Sequence, residues 1–370
     1  MKNSQKKVFV AMSGGVDSSV AAALLLDQGY AVTGVTMSFI KQGAAPLNCG
    51  TKNIEDAKEA AKILGIGHVT LDFAEQMDAL VIEEFSREYL SGRTPNPCIQ
   101  CNQNIKFGAL LESVHKQGAD FLATGHYANI VLNTDTNAYE LRRGIDDKKD
   151  QSYFLYRMPK EILGRIIFPL GGLTKDEVRE IAGRYRLNTA DKEESQDICF
   201  VPETGYKEFI KERVGETAFQ PGPFKDQEGM VIGEHKGVVN YTIGQRDKLE
   251  LALGFPAYVY KIDREANAVY VGPKECLYAK GLLASRLNMI SSLNSKEPLE
   301  VQARIRYNAP EVGCSLMILD DRHFKVDFKE PQRSITPGQS VVLYQGNVIL
   351  GGGIIDQPLQ TFEENSGQKL

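Results

Sequence analysis

The stretch that most constrains this chain is Ala11-Met12-Ser13-Gly14-Gly15-Val16-Asp17-Ser18-Ser19. A short apolar run, Val8-Phe9-Val10-Ala11, enters it and reads as a buried parallel strand. An alanine-rich run, Val20 to Leu26, leaves it and reads as a helix closed by Gly29. Two adjacent glycines let the backbone turn sharply and approach a ligand. The amides of the loop and of the first helical turn then point at one place, where the helix dipole favours negative charge. The hydroxyls of Ser13, Ser18 and Ser19 are expected to donate to the same anion. Strand, glycine turn and helix together predict a phosphate cradle.

The cradle lacks the lysine that follows the last glycine of the common mononucleotide loop. The pattern from Ser13 to Ser18, serine-Gly-Gly-x-Asp-Ser, instead resembles the pyrophosphatase loop of ATP enzymes that cut between the α and β phosphates. That resemblance implies ATP as substrate, with AMP and pyrophosphate as products, and leaves open what is activated. The competing reading is a glycine-rich turn in an unrelated α/β fold.

At 370 residues the chain exceeds one ordinary domain, and two or three are expected. Its 42% hydrophobic and 25% charged content are those of a globular protein. No apolar run approaches the ~20 residues of a membrane helix. Met1–Lys7 is polar and basic rather than signal-like, so a cytoplasmic location is expected. A net charge of −5 gives no overall basic bias. Contact with nucleic acid would therefore rest on local patches such as Arg142-Arg143, Lys148-Lys149 and Arg304 with Arg306, each of which also reads as a solvated basic face.

Strand and helix signals alternate from residue 6 to about 130, predicting a parallel sheet with right-handed crossovers. Strands are expected at Val8–Met12, Ala31–Met37, His68–Phe73 and Phe121–Thr124, and helices after the loop, up to Leu64, at Met77–Leu90 and at Phe107–Lys116. Ligands of such sheets sit beyond the carboxyl ends of the strands, so the phosphate loop, Met37 and Gly125-His126 should ring one pocket. Tyr139–Arg143 reads as part of a hairpin. Thr174 and Glu177 form a capping box that starts a helix. Lys192–Asp197 is charged and aperiodic, and reads as a mobile loop. After residue 205 the texture turns to β-type alternation broken by Gly and Pro, and 298–356 reads as a β-barrel or sandwich. The expected division is 1–204, an α/β nucleotide-binding domain; 205–280, a small mixed domain; and 281–370, the β-barrel.

Six cysteines are present, at 49, 98, 101, 199, 276 and 314. Clustered cysteines in a chain of this size point to catalysis, redox or metal rather than to staples. Cys276 and Cys314 stand alone and read as packing residues. Gly92–Asn102, with Pro95 and Pro97, reads as a loop carrying Cys98-x-x-Cys101. That pair has three readings: a redox pair, half a metal site, or one catalytic thiol with a neighbour. No second such pair and no suitably spaced histidines follow, which argues against a closed zinc site.

Taken in order, the phosphate loop, Pro95-Asn96-Pro97-Cys98-Ile99-Gln100-Cys101-Asn102, Thr124-Gly125-His126-Tyr127-Ala128, Lys149-Asp150-Gln151-Ser152-Tyr153-Phe154-Leu155 and Ser195-Gln196-Asp197-Ile198-Cys199-Phe200 resemble the bacterial tRNA-specific 2-thiouridylases. The resemblance extends through Tyr241–Arg246, Ala303–Tyr307, Pro337-Gly338-Gln339 and Gly351–Ile355, covering essentially the whole chain. It implies replacement by sulfur of the C2 oxygen of the wobble uridine, position 34 of tRNA. It places ATP on Ala11, Met12, Ser13, Gly14, Gly15, Val16, Asp17, Ser18, Met37 and Gly125, with Mg²⁺ on the leaving pyrophosphate. It makes Cys101 the nucleophile and Cys199 the persulfide carrier, joined as a disulfide in one of two routes. It assigns target-base contact to Asn96, Pro97 and Cys98, and other tRNA contact to His126, Lys149, Asp150, Gln151, Arg306, Tyr307 and Gln339. A persulfide donor or relay protein is the further partner implied.

The implied chemistry is coherent. A uracil C2 carbonyl is a poor electrophile with a poor leaving oxygen; adenylation makes AMP the leaving group, and a thiolate or persulfide then displaces it. Two departures stand out. Some members of the family carry aspartate where this chain has Cys98; Cys98, Cys101 and Cys199 could then hold an iron–sulfur cluster, or Cys98 is a tolerated substitution. Asp247-Lys248-Leu249 stands where the family usually has Lys-Gly-Leu. The rival functions are an amidating ATP pyrophosphatase, which has no use for the two thiols, and a nucleotide- or tRNA-binding module, which has no need of an intact loop.

Overall fold

The computed structural model describes residues 5–39, 51–187, 198–291 and 297–360. Cys49 and the Lys192–Asp197 segment lie outside them.

The first sheet is built from β1 (Lys7–Ala11), β2 (Ala31–Ser38), β3 (Gly67–Asp72) and β4 (Phe121–Thr124), in the order β3-β2-β1-β4 and all parallel. The interior of β1 is apolar and buried on both faces, as a strand covered by helices requires. Helix α1 (Val16–Asp27) packs on one face; Val20, Ala21, Ala22 and Ala23 show no exposed surface. Helix α2 (Thr51–Ile63) packs beside it through Ala57, Ala60 and Ala61. The opposite face carries a larger cluster rich in aromatics, including Phe85, Phe107, Tyr153, Phe168 and Phe200. β5 (Ala128–Asn133) and β6 (Ala138–Arg143) form the expected hairpin, and the short β7 (Ile166–Ile167) adds to the sheet edge beside β4. The capping box is present: Thr174 Oγ1 accepts from the Glu177 amide, and the helix runs Lys175–Arg184.

The stretch read as a loop is irregular from Gly92 to Asn96 but helical from Pro97 onward. An α-turn at Pro97–Gln100 continues into a π-helix at Cys101–Leu110 and an α-helix at Leu111–Lys116. Pro97 begins this helix because its missing amide hydrogen is not needed at the first position. The local signal misled because prolines read as breakers there, and a π-turn blurs the 3.6-residue period.

A four-stranded sheet follows: β8 (Gly222–Lys225), β9 (Val231–His235), β10 (Tyr258–Asp263) and β11 (Ala268–Gly272), ordered β10-β11-β8-β9. The C-terminal unit is antiparallel: β12 (Tyr278–Met289), β13 (Leu299–Arg304), β14 (Val312–Ile318), β15 (Phe324–Arg333), β16 (Ser340–Gln345) and β17 (Val348–Gln360). Their order, β12-β15-β14-β13-β16-β17, closes on itself through β12 and β17. The barrel is therefore without free edges at that seam. β6 joins β17 beside it, with Val348 opposite Arg142. The hairpin of the nucleotide-binding half thus enters the barrel's sheet, which no local signal announces.

Lys248 has φ +61°, in the left-handed region. A non-glycine residue there is strained by about 1 kcal/mol. We expect Lys248→Gly to raise stability by about 1 kcal/mol at most and Lys248→Val to lower it, both read by urea denaturation.

Candidate active site

The phosphate loop is shaped by close backbone approaches. Gly14 has φ +74°, and a Cβ there would lie 2.4 Å from the Asn53 carbonyl oxygen. Gly125, just past β4, lies against the start of α1; a Cβ there would meet the Asp17 carbonyl carbon and the Ser18 nitrogen at 2.8 Å. Gly15 is the N-cap of α1, and no side chain caps it, which leaves the first helical amides for a ligand. The hydroxyl expectation needs correction. Ser18 and Ser19 both donate to the Gly15 carbonyl, at 3.1 and 3.0 Å, as serines in a first helical turn do. Ser13 alone keeps an exposed side chain.

Asp17 sits in the first turn of α1, where a bare carboxylate would repel a phosphate. Two groups engage the same oxygen: Lys175 Nζ donates to Oδ1 at 2.7 Å, and the Tyr127 hydroxyl donates to it at 2.8 Å. Lys175 is 5% exposed. The structure therefore brings a lysine to a loop whose own sequence has none. Lys175 was legible as the first residue of a capped helix, but what that helix faces was not. Met37 is half-buried at the end of β2.

Asn96 is the N-cap of the Pro97–Gln100 turn. Cys98 is exposed, whereas Cys101 and Cys199 pack against the same aromatic-rich cluster. The three thiols are close enough to affect one another. Burial pushes the Cys101 thiol up to about 12, with Lys106 opposing and Cys199 and Cys98 adding to the rise. Desolvation also raises Cys98, Lys106 again opposing and Cys199 adding. Among the described residues no group of three metal-ligating side chains is arranged to hold an ion.

The barrel reaches the cysteine segment directly. Gln339 Nε2 donates to the Thr94 carbonyl at 2.9 Å, and the Thr94 amide donates to the Pro337 carbonyl at 2.9 Å. Gly338, φ +91°, lies so close to Thr94 that a Cβ would meet its backbone at 2.7 Å. Asn102 Nδ2 donates to the Phe154 carbonyl at 3.0 Å, and the Phe154 ring packs against Tyr307 at 4.5 Å between centroids, tilted by 40°. Arg306 donates to the Arg333 carbonyl.

Several residues that the resemblance assigns to RNA contact are also tied into the fold. Asp150 is 3% exposed; its carboxylate accepts from the Gly144 and Ser152 amides and the Ser152 hydroxyl. Gln151 Oε1 accepts from the Tyr127 amide. His126 is buried between Phe107 and Phe168, with Nδ1 2.6 Å from Thr124 Oγ1. Part of the expected basic patches is paired within the fold: Arg142 pairs with Glu140, and Arg143 and Arg304 with Glu311. Cys276 and Cys314 are buried, consistent with packing.

Known proteins align along the whole of this architecture. The family model described as tRNA methyl transferase HUP domain matches residues 6–203. A tRNA methyl transferase PRC-barrel domain matches 207–273, and an aminomethyltransferase beta-barrel domain matches 279–355. The tRNA-specific 2-thiouridylase MnmA of Heliobacterium modesticaldum is 51% identical over 356 residues, covering 95% of this chain and 92% of that protein. The chain belongs to the tRNA-specific 2-thiouridylase family. Another 2-thiouridylase, from Carboxydothermus hydrogenoformans, is 49% identical over 361 residues, covering 96% of this chain and 99% of that protein. A solved structure of the U34-tRNA thiolase NcsA from Methanococcus maripaludis with its [4Fe-4S] cluster shares 18% identity at a TM-score of 0.33, over 58% of this chain and 69% of that one. No helix among the described residues of this 2-thiouridylase family member is long and apolar enough to cross a membrane.

Burial, reinforced by Lys106, holds the His126 imidazole well below its usual range. Below the ordinary histidine value of ~6.5 the unfolded chain takes up a proton that the folded chain refuses, so stability falls as pH falls. His68 and His235 are lowered as well, so the informative quantity is a difference between variants. We expect the loss of unfolding free energy between about pH 7.5 and 5.5 to be smaller in His126→Asn than in the parent chain, measured by urea denaturation at both pH values.

Proposed function

We propose that this protein replaces the C2 oxygen of a tRNA wobble uridine with sulfur, using ATP. One observation carries the reading: the thiols of Cys101 and Cys199 come within electrostatic reach of each other in a chain whose first loop is an uncapped, glycine-shaped phosphate cradle. Neither an amidating enzyme nor a passive RNA binder needs both. The family-model descriptions speak of methyl transfer, which also requires neither feature; the names of the close relatives speak of 2-thiouridine formation.

ATP would lie with its phosphates at Ser13–Ser18 and its nucleoside side toward Ala11, Met37 and Gly125. Mg²⁺ enters with the nucleotide as part of the substrate. The C2 oxygen attacks the α phosphorus and pyrophosphate leaves, its charge met by the α1 amides and by Lys175. Cys199 carries the terminal sulfur as a persulfide. That sulfur forms a bond to C2, and AMP departs with the C–O electron pair. The Cys101 thiolate attacks the Cys199 sulfur, and the S–S pair stays with the transferred sulfur as the new thiocarbonyl. Release of sulfide before attack on C2 gives the same balance. Either order ends with a Cys101–Cys199 disulfide, which an external thiol must reduce.

Asn96, Pro97 and Cys98 are assigned to the target base. The remaining RNA set is proposed to act in two layers: Lys149, Arg306 and Tyr307 toward the nucleic acid, with His126, Asp150, Gln151 and Gln339 supporting the surface from behind. The proposed domain division remains 1–204, 205–280 and 281–370, which the family-model spans support.

Incubating unmodified tRNA with ATP, a persulfide source and this protein should yield 2-thiouridine, detected by mass analysis of nucleosides. Cys101→Ala and Cys199→Ala should each abolish it. Normal thiolation by either variant would defeat the mechanism, and absence of product from the parent protein would defeat the function. Gly125→Val should weaken ATP binding at least about tenfold by calorimetry, because the added atoms collide with backbone that cannot move aside.

A further inference from the structure

We propose that Lys106 is the cation of the sulfur-transfer centre, neutralising the Cys101 thiolate as it attacks the Cys199 sulfur. The inference rests on the sulfur-transfer reading above and extends it to a residue for which that reading supplies no role.

Three observations carry it. The first is local geometry. Cys101 and Lys106 open and occupy the same π-helix, Cys101–Leu110. In an α-helix, with 3.6 residues per turn, the fifth residue onward faces well away from the first. The wide i→i+5 winding brings it nearly back above. Gly108 confirms the winding: a Cβ there would lie 3.0 Å from the carbonyl oxygen of Gln103, five residues earlier. An α-helical version of the same sequence would carry Lys106 round to another face.

The second is the absence of any competing anion. Lys106 is half-buried. Among the described residues it makes no ion pair and no hydrogen bond. Most other lysines with reduced exposure here have partners; Lys175, for example, binds Asp17. A lysine held in a partly apolar setting without a carboxylate is poised for an anion that arrives during function.

The third is what surrounds it. The ammonium acts electrostatically on Cys101, on Cys98 one turn earlier and on His126 just past β4. The groups facing Cys101 are therefore Lys106 from its own helix, Cys98 from the preceding turn and Cys199 from the segment beginning at Ile198. Lys106 is the one cation among them, and all the others become anionic or stay neutral. When Cys101 loses its proton to solvent, the new charge faces an apolar cluster on one side and this ammonium on the other. Charge neutralisation in such a setting is worth far more than at an exposed site.

The test uses a readout of charge that does not depend on turnover. Cys101 in the full-length protein is alkylated with anionic iodoacetate and with neutral iodoacetamide, and each rate is followed by mass spectrometry. The thiolate fraction cancels in the ratio of the two rates, which leaves the local potential. Lys106→Gln should lower the iodoacetate-to-iodoacetamide ratio about fivefold, and Lys106→Arg should keep it. Single-turnover thiolation of tRNA should fall at least about tenfold in Lys106→Gln and be largely restored in Lys106→Arg, with ATP and tRNA affinities unchanged in both. An unchanged ratio in Lys106→Gln would overturn the placement. A lowered ratio with undiminished thiolation would overturn the role. If Cys101→Ala still thiolates tRNA, the sulfur-transfer reading itself fails, whatever the alkylation ratio shows.

Discussion

Three consecutive residues of the barrel, Gly338, Gln339 and Ser340, hold the candidate site together. Gly338 and Gln339 dock on the backbone of Thr94 and Pro95, immediately before the cysteine-bearing helix. The Ser340 carbonyl accepts from the Tyr153 hydroxyl at 2.9 Å, and its Oγ lies 3.0 Å from the Tyr156 hydroxyl. Both tyrosines are fully buried, so these bonds are made where an unpaired partner would be costly. A short strip nearly 250 residues downstream of Thr94 thus ties down the segment that leads into the first thiol. The β6–β17 pairing adds a second tie between the same two halves.

The electrostatics divide the site into two compartments. At the phosphate loop the helix N-terminus and Lys175 surround Asp17, giving a place that accepts an anion without a lysine in the loop itself. At the thiols the surroundings are apolar, and burial holds Cys101 protonated at rest. That protects a nucleophile from unproductive oxidation and alkylation, because the thiolate is the reactive form. It also means that the thiol must be deprotonated at the moment of transfer, against a desolvation penalty that a nearby cation offsets. The two compartments share a wall: His126 follows Gly125, which touches α1, and packs on Phe107 of the π-helix.

The strands and helices of the nucleotide-binding half were legible because each is long, periodic and punctuated. β1, α1, the Thr174 capping box and the alternating strands of the barrel all fall where their patterns predict. The cysteine segment was not legible, because Pro95 and Pro97 read as breakers and a π-turn has no periodic signature of its own. The inward roles of Asp150 and His126 were hidden for a different reason. A polar residue in a polar run looks solvated until a fold surrounds it with donors.

By itself the sequence determined the kinds of chemistry present: a glycine turn that a phosphate can approach, and cysteines in excess of any structural need. Those depend on backbone freedom and side-chain identity, which are local properties. The tertiary structure decided which groups act together. Lys175 meets Asp17 across 158 residues, and Cys199 comes within electrostatic reach of Cys101. Proximity between distant residues is set by packing of the whole chain, and no local pattern encodes it.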